Sequence, residues 1–393
     1  MNATGVIVEY NPYHYGHLHH IKQSRNLTDA DVVIAVMSGH FLQRGEPSFT
    51  HKWLRTEMAL RNGVDIVVEL PYAFATAPAV DFAKGGVAIL EALKCQYITF
   101  GSEEGDIAPF LATYNALEGD DMKFQQNVQL AVKSGLSYPQ ALNAAYNEIA
   151  RTHSGQFADL TKPNNILGYH YVEQIFKQHA HMQPMTIPRV ASGYHDAIHE
   201  GTNIQSATGI RQAVFQDGLA SVQNFLPPEN FQLLQQATLM QWETMYPTLR
   251  FMLTRLRTEE IAQYAEVTEG IEHLLKKAAL TCDTFDAFMQ RIKSKRYTWT
   301  RLQRMLTHIY TGFTSADLAT QQMPSYIRLL GMTKQGQAYI SAHKKDFSLP
   351  IVSRAAASDD PMLLQDIRAT DLYMLASNGQ PGEDYRRPPI RII

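Results

Sequence analysis

Cysteine is scarce in this chain. Its 393 residues include only two, Cys95 and Cys282, and these lie far apart in the sequence. Disulfide-stabilised secreted domains carry several closely spaced cysteines, so the composition excludes a disulfide scaffold and fits a reducing cytosol. We therefore expect a hydrophobic core to hold the fold, and 45% hydrophobic with 19% charged residues is an ordinary globular composition.

Long hydrophobic runs are also lacking. No stretch of about 18 apolar residues occurs, which excludes a membrane-spanning helix. The N-terminal residues contain neither a basic segment nor a long apolar segment, so we expect no signal peptide and a cytoplasmic protein. A chain of 393 residues exceeds the size at which one core keeps growing, and we expect two domains.

Net charge is small, with a formal value of −3 at pH 7, which excludes a protein that is basic all over. The two parts of the chain nevertheless differ. Residues 1–225 hold 15 Lys and Arg against 21 Asp and Glu, whereas residues 226–393 hold 20 against 17. A bound polyanion is therefore expected to contact the second part.

Two histidines stand where the first predicted strand passes into the first predicted helix. Residues 5–8 are apolar and of strand length, residues 11–12 predict a turn, and His14, Gly16 and His17 open a helical pattern. A helix N-terminus carries unpaired N–H groups and partial positive charge, and a glycine lets a phosphate approach the backbone. The pattern predicts a nucleotide site, with surface histidines as the plain structural alternative.

Strand and helix signals alternate through the first part of the chain. After the first strand, further strands are predicted at residues 31–37, 64–70, 96–100 and 185–189, with helical patterns between them. The strand at residues 31–37 is apolar on both faces, which is typical of parallel strands covered by helices. The alternation predicts an α/β fold with a doubly wound parallel sheet, in which ligands bind at the carboxyl ends of the strands.

A second phosphate-binding pattern lies at residues 206–211. Ser206 and Thr208 stand at the start of a predicted helix, and Arg211 follows within one turn. Hydroxyl groups and a guanidinium can donate hydrogen bonds to phosphate oxygens. The alternative is an ordinary helix N-cap beside an exposed arginine.

From residue 226 the strand signals stop, and we expect an all-helical domain over residues 226–393. Within it, residues 291–304 include six basic residues and no acidic one, with Tyr297 and Trp299 among them. Basic side chains pair with phosphates and aromatic rings stack on unpaired bases, so this segment is the predicted RNA contact. The alternative is a solvated helix face whose aromatic residues belong to the core.

These motifs resemble a known family. The His14-x-Gly16-His17 pattern after a strand, together with residues 206–211, resembles the two phosphate-binding motifs of the nucleotidyltransferase superfamily. More closely, segments along the whole chain resemble bacterial tRNA(Met) cytidine acetate ligases. These segments are VEYNP at 8–12, QRGEP at 43–47, ELP at 69–71, FGSE at 100–103, KPNN at 162–165, KRYT at 295–298 and IRATDLY at 367–373.

The resemblance implies a Rossmann-like ATP-binding catalytic domain at residues 1–225 and a helical tRNA-binding domain at residues 226–393. It implies that ATP and acetate form acetyl-adenylate with release of pyrophosphate. The acetyl group would then pass to the exocyclic amine of the wobble cytidine of elongator tRNA(Met), giving N4-acetylcytidine.

The resemblance also implies roles for individual residues. His14 and His17 are the expected catalytic residues, through contacts with the ATP phosphates and the transition state. The expected ATP-binding residues are Val6, Ile7, Val8, Glu9, Tyr10, Asn11, Pro12, Gly16, His20, Gly101, Asn164, Arg189, Ser206, Thr208 and Arg211. The expected tRNA-binding residues are Arg44, Lys293, Lys295, Arg296, Tyr297, Arg301 and Arg304.

Metal binding and two other functions complete the expectations. Mg²⁺ is expected to arrive with ATP and not on protein ligands. Zinc at the clustered histidines is disfavoured, because no Cys or acidic residue lies at zinc-ligand spacing from them. The alternative functions are an adenylyltransferase for a small phosphorylated metabolite, which needs no basic helical domain, and a nucleotide-binding protein without turnover.

Overall fold

A mixed sheet forms the centre of the computed structural model, which describes residues 1–103, 105–118, 121–136, 138–150, 156–189, 205–268, 270–294 and 296–392. The described residues contain eight strands: β1 (Ala3–Val8), β2 (Val32–Ser38), β3 (Ile66–Leu70), β4 (Tyr97–Ser102), β5 (Gln183–Pro188), β6 (Ile327–Thr333), β7 (Ile351–Val352) and β8 (Ile390–Ile392). Their order across the sheet is β5-β4-β1-β2-β3-β6-β7, and β8 pairs with β6.

The first five strands are parallel to one another. From β1 the sheet continues through β2 and β3 on one side and through β4 and β5 on the other. This is the doubly wound arrangement expected from the sequence. In such sheets a crevice opens at the carboxyl ends of the two strands where the order reverses. Here those strands are β1 and β4.

The described residues also contain nineteen α-helices. They are α1 (Tyr15–Thr28), α2 (Lys52–Arg61), α3 (Tyr72–Ala75), α4 (Ala79–Ala92), α5 (Ala108–Glu118), α6 (Asp121–Lys133), α7 (Tyr138–Ala150), α8 (Pro163–Lys177), α9 (Ala207–Asp217), α10 (Pro228–Gln235), α11 (Trp242–Arg255), α12 (Thr258–Ile261), α13 (Ile271–Thr281), α14 (Phe285–Ile292), α15 (Trp299–Thr311), α16 (Ser315–Thr320), α17 (Lys334–His343), α18 (Pro361–Ala376) and α19 (Glu383–Arg386). Within the described residues, no helix is both long and apolar enough to cross a bilayer.

The sheet separates two hydrophobic cores. Because side chains alternate along a strand, Val33 and Met37 of β2 pack in the core shared with α1 and α2, whereas Val32 and Val36 pack in the core shared with α4 and α8. Each such fully buried side chain contributes roughly 1.5–3 kcal/mol. Burial on both faces explains why these strands are apolar throughout.

The C-terminal region is largely helical, but the expectation that strands stop at residue 226 is wrong. Strand β6 pairs antiparallel with β3, and β7 and β8 extend the same sheet. Two residues weaken the strand pattern of β6. Arg328 is fully buried and ion-paired with Asp384, and Gly331 lies where a Cβ would meet the side chains of Thr56 and Leu60.

Helices α11 and α15 pack directly against the loop that follows β2. Gly45 has a φ of 74°, and a Cβ there would overlap the backbone of α15 at Gln303 and Arg304. Its carbonyl accepts hydrogen bonds from Trp242 Nε1 at 2.7 Å and from Thr307 Oγ1 at 2.9 Å. The helical region is therefore joined to a loop at the carboxyl edge of the sheet.

Candidate active site

A cavity of about 740 Å³ opens at the carboxyl ends of β1, β4 and β5. This volume is typical of sites for ligands of nucleotide size. Residues lining it include Ile7, Val8, Glu9, Tyr10, Asn11, His14, Gly16, His17, His20, Arg44, Gly101, Asn164, Arg189, Ser206, Thr208 and Arg211. The cavity thus brings together both predicted catalytic residues and all but two of the predicted ATP-binding residues.

The two exceptions, Val6 and Pro12, do not line the cavity. Val6 lies in the core on the α1 side of the sheet, with no exposed surface. Pro12 follows Asn11 in the turn between β1 and α1, joined to it by a cis peptide bond. Asn11 fixes this turn, since its Oδ1 accepts a hydrogen bond from the Phe49 N–H at 2.6 Å.

His14 and His17 form the N-terminal cap of α1. His14 Nδ1 accepts a hydrogen bond from the Gly16 N–H at 3.0 Å, and His17 Nδ1 accepts one from the His14 N–H at 3.3 Å. The ring centroids lie 3.9 Å apart with an interplanar angle of 35°. This reciprocal arrangement is a capping box in which imidazoles replace the usual hydroxyl and carboxylate groups.

The caps determine where each imidazole carries its proton. Because both Nδ1 atoms accept backbone N–H groups, a neutral ring must hold its proton on Nε2. Burial, followed by the charge of Arg189, lowers the pKa of His14 to about 3. Burial and then the neighbouring His14 lower the pKa of His17 well below its usual value. The pair therefore presents two uncharged Nε2–H donors at neutral pH.

Across the cavity, three polar side chains join the ends of β4, α8 and β5. Arg189 Nη1 donates to Asn164 Oδ1 at 2.9 Å, and Asn164 Nδ2 donates to Glu103 Oε1 at 2.8 Å. Gly101 lies beside this chain, and a Cβ there would stand 3.3 Å from Arg189 Cγ. The absence of a side chain at Gly101 keeps this wall of the cavity open to a ligand.

The N-terminus of α9 supplies a further wall. Ser206 caps the helix by accepting from the Gly209 N–H at 3.1 Å, which leaves its own hydroxyl proton available for donation. Arg211 donates to the Asn11 carbonyl at 2.9 Å and pairs with Glu46 at 3.0 Å. Arg211 therefore braces α9 against the turn after β1, a contact that the sequence did not predict.

Residues that sequence analysis missed come mainly from the loop after β2. Gln43 and Glu46 line the cavity, as does Glu103. Gln43 N–H donates to Glu9 Oε1 at 2.8 Å, and its side-chain amide donates to the Ala77 carbonyl at 2.9 Å. Their position just beyond a strand end was the available signal, because ligands bind there in this fold class.

Arg55 on α2 connects the carboxyl ends of β1 and β2. Its guanidinium is fully buried and donates to the carbonyls of Glu9, Ser38, Gly39 and Thr50. Burial lowers its pKa to about 10, with partial compensation from Tyr373 and carboxylates nearby. One buried cation thus ties the carboxyl ends of β1 and β2 to the loop that follows.

Among the described residues, the predicted tRNA-binding residues lie outside the cavity lining, except Arg44, which is exposed there. Lys293 and Arg296 are exposed, and Arg301 lies over the Tyr297 ring at 4.9 Å while donating to Thr268. Lys295 lies outside the described residues.

Two members of this set have internal contacts instead. Tyr297 is only 6% exposed, and its hydroxyl donates to the Thr268 carbonyl at 2.9 Å. Arg304 is 9% exposed and forms two hydrogen bonds to Glu266 at 2.6 and 2.8 Å. In this conformation both side chains pack within the helical region, and their contact with tRNA stays a prediction.

The whole chain resembles proteins of one family. Residues 1–386 match the family model described as HIGH Nucleotidyl Transferase. The tRNA(Met) cytidine acetate ligase of Lysinibacillus sphaericus is 48% identical over the full length of both chains. The Bacillus subtilis protein of the same name is 44% identical over 95% of this chain and 92% of its own. The chain belongs to the tRNA(Met) cytidine acetate ligase family.

A solved member of this family has the same fold. The crystal structure of Thermotoga maritima TmcAL bound with alpha-thio ATP matches with a TM-score of 0.87 and 29% identity, and covers 100% of this chain and 99% of that one. The resemblance inferred from the sequence motifs is thereby confirmed, and so is the doubly wound α/β class with a C-terminal helical region.

Proposed function

We propose that this cavity binds ATP and acetate, forms acetyl-adenylate, and transfers the acetyl group to the wobble cytidine of elongator tRNA(Met). The observation that carries the proposal is the pair of neutral Nε2–H donors, His14 and His17, at the strand crossover of a family member. Family membership supports the choice of acetate and tRNA, and a tRNA substrate would place the reaction in the cytoplasm.

The first step displaces pyrophosphate from ATP. An acetate oxygen attacks the α-phosphorus in line with the leaving pyrophosphate, and negative charge grows on oxygens that already carry charge. His14 and His17 would donate to these oxygens through Nε2–H, while Ser206 and Thr208 would hold the β- and γ-phosphates. Such fixed donors stabilise the transition state because they need no reorganisation during the reaction. No protein nucleophile is required.

The other predicted ATP contacts fit the same pose. Gly101, on the open wall beside β4, would face the adenosine, and Asn164 with Arg189 would complete that end of the pocket. Arg211 would position the turn at Asn11 and add positive charge. His20 lies about one turn beyond His17 along α1 and would line the pocket beside it.

Mg²⁺ belongs to the proposal as a companion of ATP. In the part of the chain that the structure describes, no group of three or more His, Cys, Asp or Glu side chains could hold a metal ion. The described side chains therefore do not fit a resident metal. Bound to the phosphates, Mg²⁺ would neutralise part of the triphosphate charge.

The second step brings the cytidine amine against the mixed anhydride. Placing two reactants in a near-attack geometry supplies much of the rate, and a cytidine in an anticodon loop costs little to move out of its stack. The exposed Lys293 and Arg296 and the half-buried Arg301 would contact the tRNA backbone, and Arg44 would contact the nucleotide that enters the cavity. We thus assign adenylation to the sheet domain and tRNA binding to the helical region.

Pyrophosphate exchange tests the first step. Purified protein should exchange labelled pyrophosphate into ATP when acetate is added, and should form N4-acetylcytidine on tRNA(Met), detected by mass spectrometry. Exchange that responds to a phosphorylated metabolite and not to acetate would favour the adenylyltransferase. ATP binding without any turnover would favour the nucleotide-binding protein.

A further inference from the structure

We propose that Glu9 is the general base of the transfer step, accepting the proton that the cytidine N4 amine loses as it is acetylated. This role rests on the proposed function and deepens it. The family resemblance assigns Glu9 only to ATP binding. The side chain itself has a position and a set of partners that suit proton transfer.

The carboxylate of Glu9 is held at the cavity by its neighbours. Its main-chain carbonyl accepts from Arg55 Nη1 at 2.7 Å, which fixes the backbone, and its Oε1 accepts from the Gln43 N–H at 2.8 Å. Glu9 lines the cavity, and no described residue donates to its Oε2. One oxygen therefore positions the group while the other stays available to a ligand.

The surroundings of Glu9 raise the pKa of its carboxyl group above the ordinary value. Burial raises its pKa, the Gln43 N–H lowers it, and the charge of Glu46 raises it again, against smaller effects of Arg44 and Arg211. The remaining ionisable neighbours are Arg55, behind the strand end, and the buried Tyr171 hydroxyl on α8. A general base works best when its pKa lies close to the working pH.

The other candidates in the cavity are less suitable. His14 and His17 have no lone pair to offer, because each Nδ1 accepts a backbone N–H and each Nε2 holds a proton. Burial and Arg189 lower the pKa of His20 to about 4, so it is a weak acceptor. The Glu46 carboxylate is already paired with Arg211 at 3.0 Å, so it is less available to a substrate.

The chemistry of the step requires such a group. The N4 lone pair attacks the acetyl carbonyl carbon and forms the C–N bond, and the proton on N4 moves to Glu9 Oε2. The C–O bond to the adenylate then breaks, and AMP leaves with that electron pair. Glu9 afterwards releases its proton to solvent. Without a base the adduct reverts, because a nitrogen that keeps its extra proton is positively charged and is readily expelled as the neutral amine.

The Glu9→Gln variant separates this role from a structural one. Glutamine keeps the size of the side chain and an oxygen that accepts from the Gln43 N–H, but it cannot take up a proton. Because Glu9 also lines the nucleotide cavity, acetate-dependent pyrophosphate exchange by the same variant measures any loss in the first step, and the loss of transfer should exceed it. Single-turnover transfer to tRNA should fall by about 10²-fold or more. The control is Glu57→Gln, which changes a carboxylate bonded to Arg61 on the outer face of α2 and should leave both rates unchanged.

The pH profile gives a second readout that needs no variant. Wild-type transfer should rise with pH through the pKa of Glu9 and then level off, whereas exchange should lack this limb. Glu9→Asp, which keeps a carboxylate, should retain more transfer activity than Glu9→Gln and the same rising limb.

The outcomes separate this inference from the proposed function. Normal transfer by Glu9→Gln, or a wild-type transfer profile with no rising limb on its acid side, would overturn the role of Glu9 while leaving the ligase intact. Equal loss of exchange and transfer in Glu9→Gln would assign Glu9 to nucleotide binding instead. Absence of acetate-dependent exchange in the wild type would overturn both.

Discussion

The His14→Asn substitution separates the two tasks that the structure gives to His14. In the wild type, Nδ1 caps α1 by accepting the Gly16 N–H, and Nε2–H is the proposed donor to phosphate. The asparagine Oδ1 occupies nearly the position of Nδ1, and asparagine is among the best N-cap residues. The variant therefore keeps the cap and loses the donor, whereas His14→Ala loses both.

The expected losses of stability and of activity follow from the interaction that each substitution removes. A lost N-cap costs roughly 0.5–2 kcal/mol of stability, so His14→Ala should unfold more easily by about 1 kcal/mol and His14→Asn should not. Removing one fixed donor to a transition-state oxyanion typically costs about 10²–10³ in rate. We expect this loss of exchange in both variants, because neither retains the Nε2–H group.

Two assays on the same samples decide the matter. Acetate-dependent pyrophosphate exchange measures the first step, and urea unfolding measures the free energy of unfolding. Exchange by His14→Asn within a few-fold of the wild type would refute the donor role of His14. Loss of exchange only in His14→Ala, in parallel with stability, would show that the imidazole serves α1 alone.

Three further predictions concern the surroundings of the site. The Lys52→Met substitution removes the cation that pairs with two buried carboxylates. The free energy of unfolding, measured by thermal or urea denaturation, should therefore fall by about 3–5 kcal/mol. Burial raises the pKa of Glu266, but hydrogen bonds from His308 and Arg304 lower it to about 2. The contribution of Glu266 to the free energy of unfolding is therefore present above its unfolded pKa and is lost as pH falls through its folded pKa. Glu266→Gln should thus lower the unfolding free energy by about 3 kcal/mol at neutral pH, and the difference should vanish as urea titrations approach about pH 2. The double variant Lys293→Ala/Arg296→Ala should weaken tRNA binding in filter assays and flatten its salt dependence by about one unit of slope per lost contact, with exchange unchanged. Exchange lost to the same extent would contradict the division between the two regions.

The nucleotide site could be predicted from the sequence because its residues lie in short local motifs. His14, Gly16 and His17 lie within four consecutive positions at one helix start, and Ser206 and Thr208 lie at another. In a parallel sheet both helix starts must face the carboxyl edge, so topology alone brings them together. The histidine protonation states could not be predicted, because they depend on burial and on the charge of Arg189, which comes from the end of β5.

The remaining features depend on contacts between distant parts of the chain. Nothing in the sequence around Gly45 indicates that its loop packs on α15, although this contact links the cavity to the helical region. Strand β6 has a buried Arg328 whose partner, Asp384, lies on α19. Charge counting assigned Arg304 to RNA, but its partner Glu266 precedes it by 38 residues. Periodicity and local composition carry no information about such pairs.

Nitrogen NMR of His14 and His17 tests the central claim most directly. At about pH 6 we expect both rings to be neutral with the proton on Nε2, and a non-hydrolysable ATP analogue should shift both Nε2 signals. His273, which is exposed on α13, should not respond to the nucleotide. Rings that are protonated on Nδ1, or that do not respond to the nucleotide, would contradict the account.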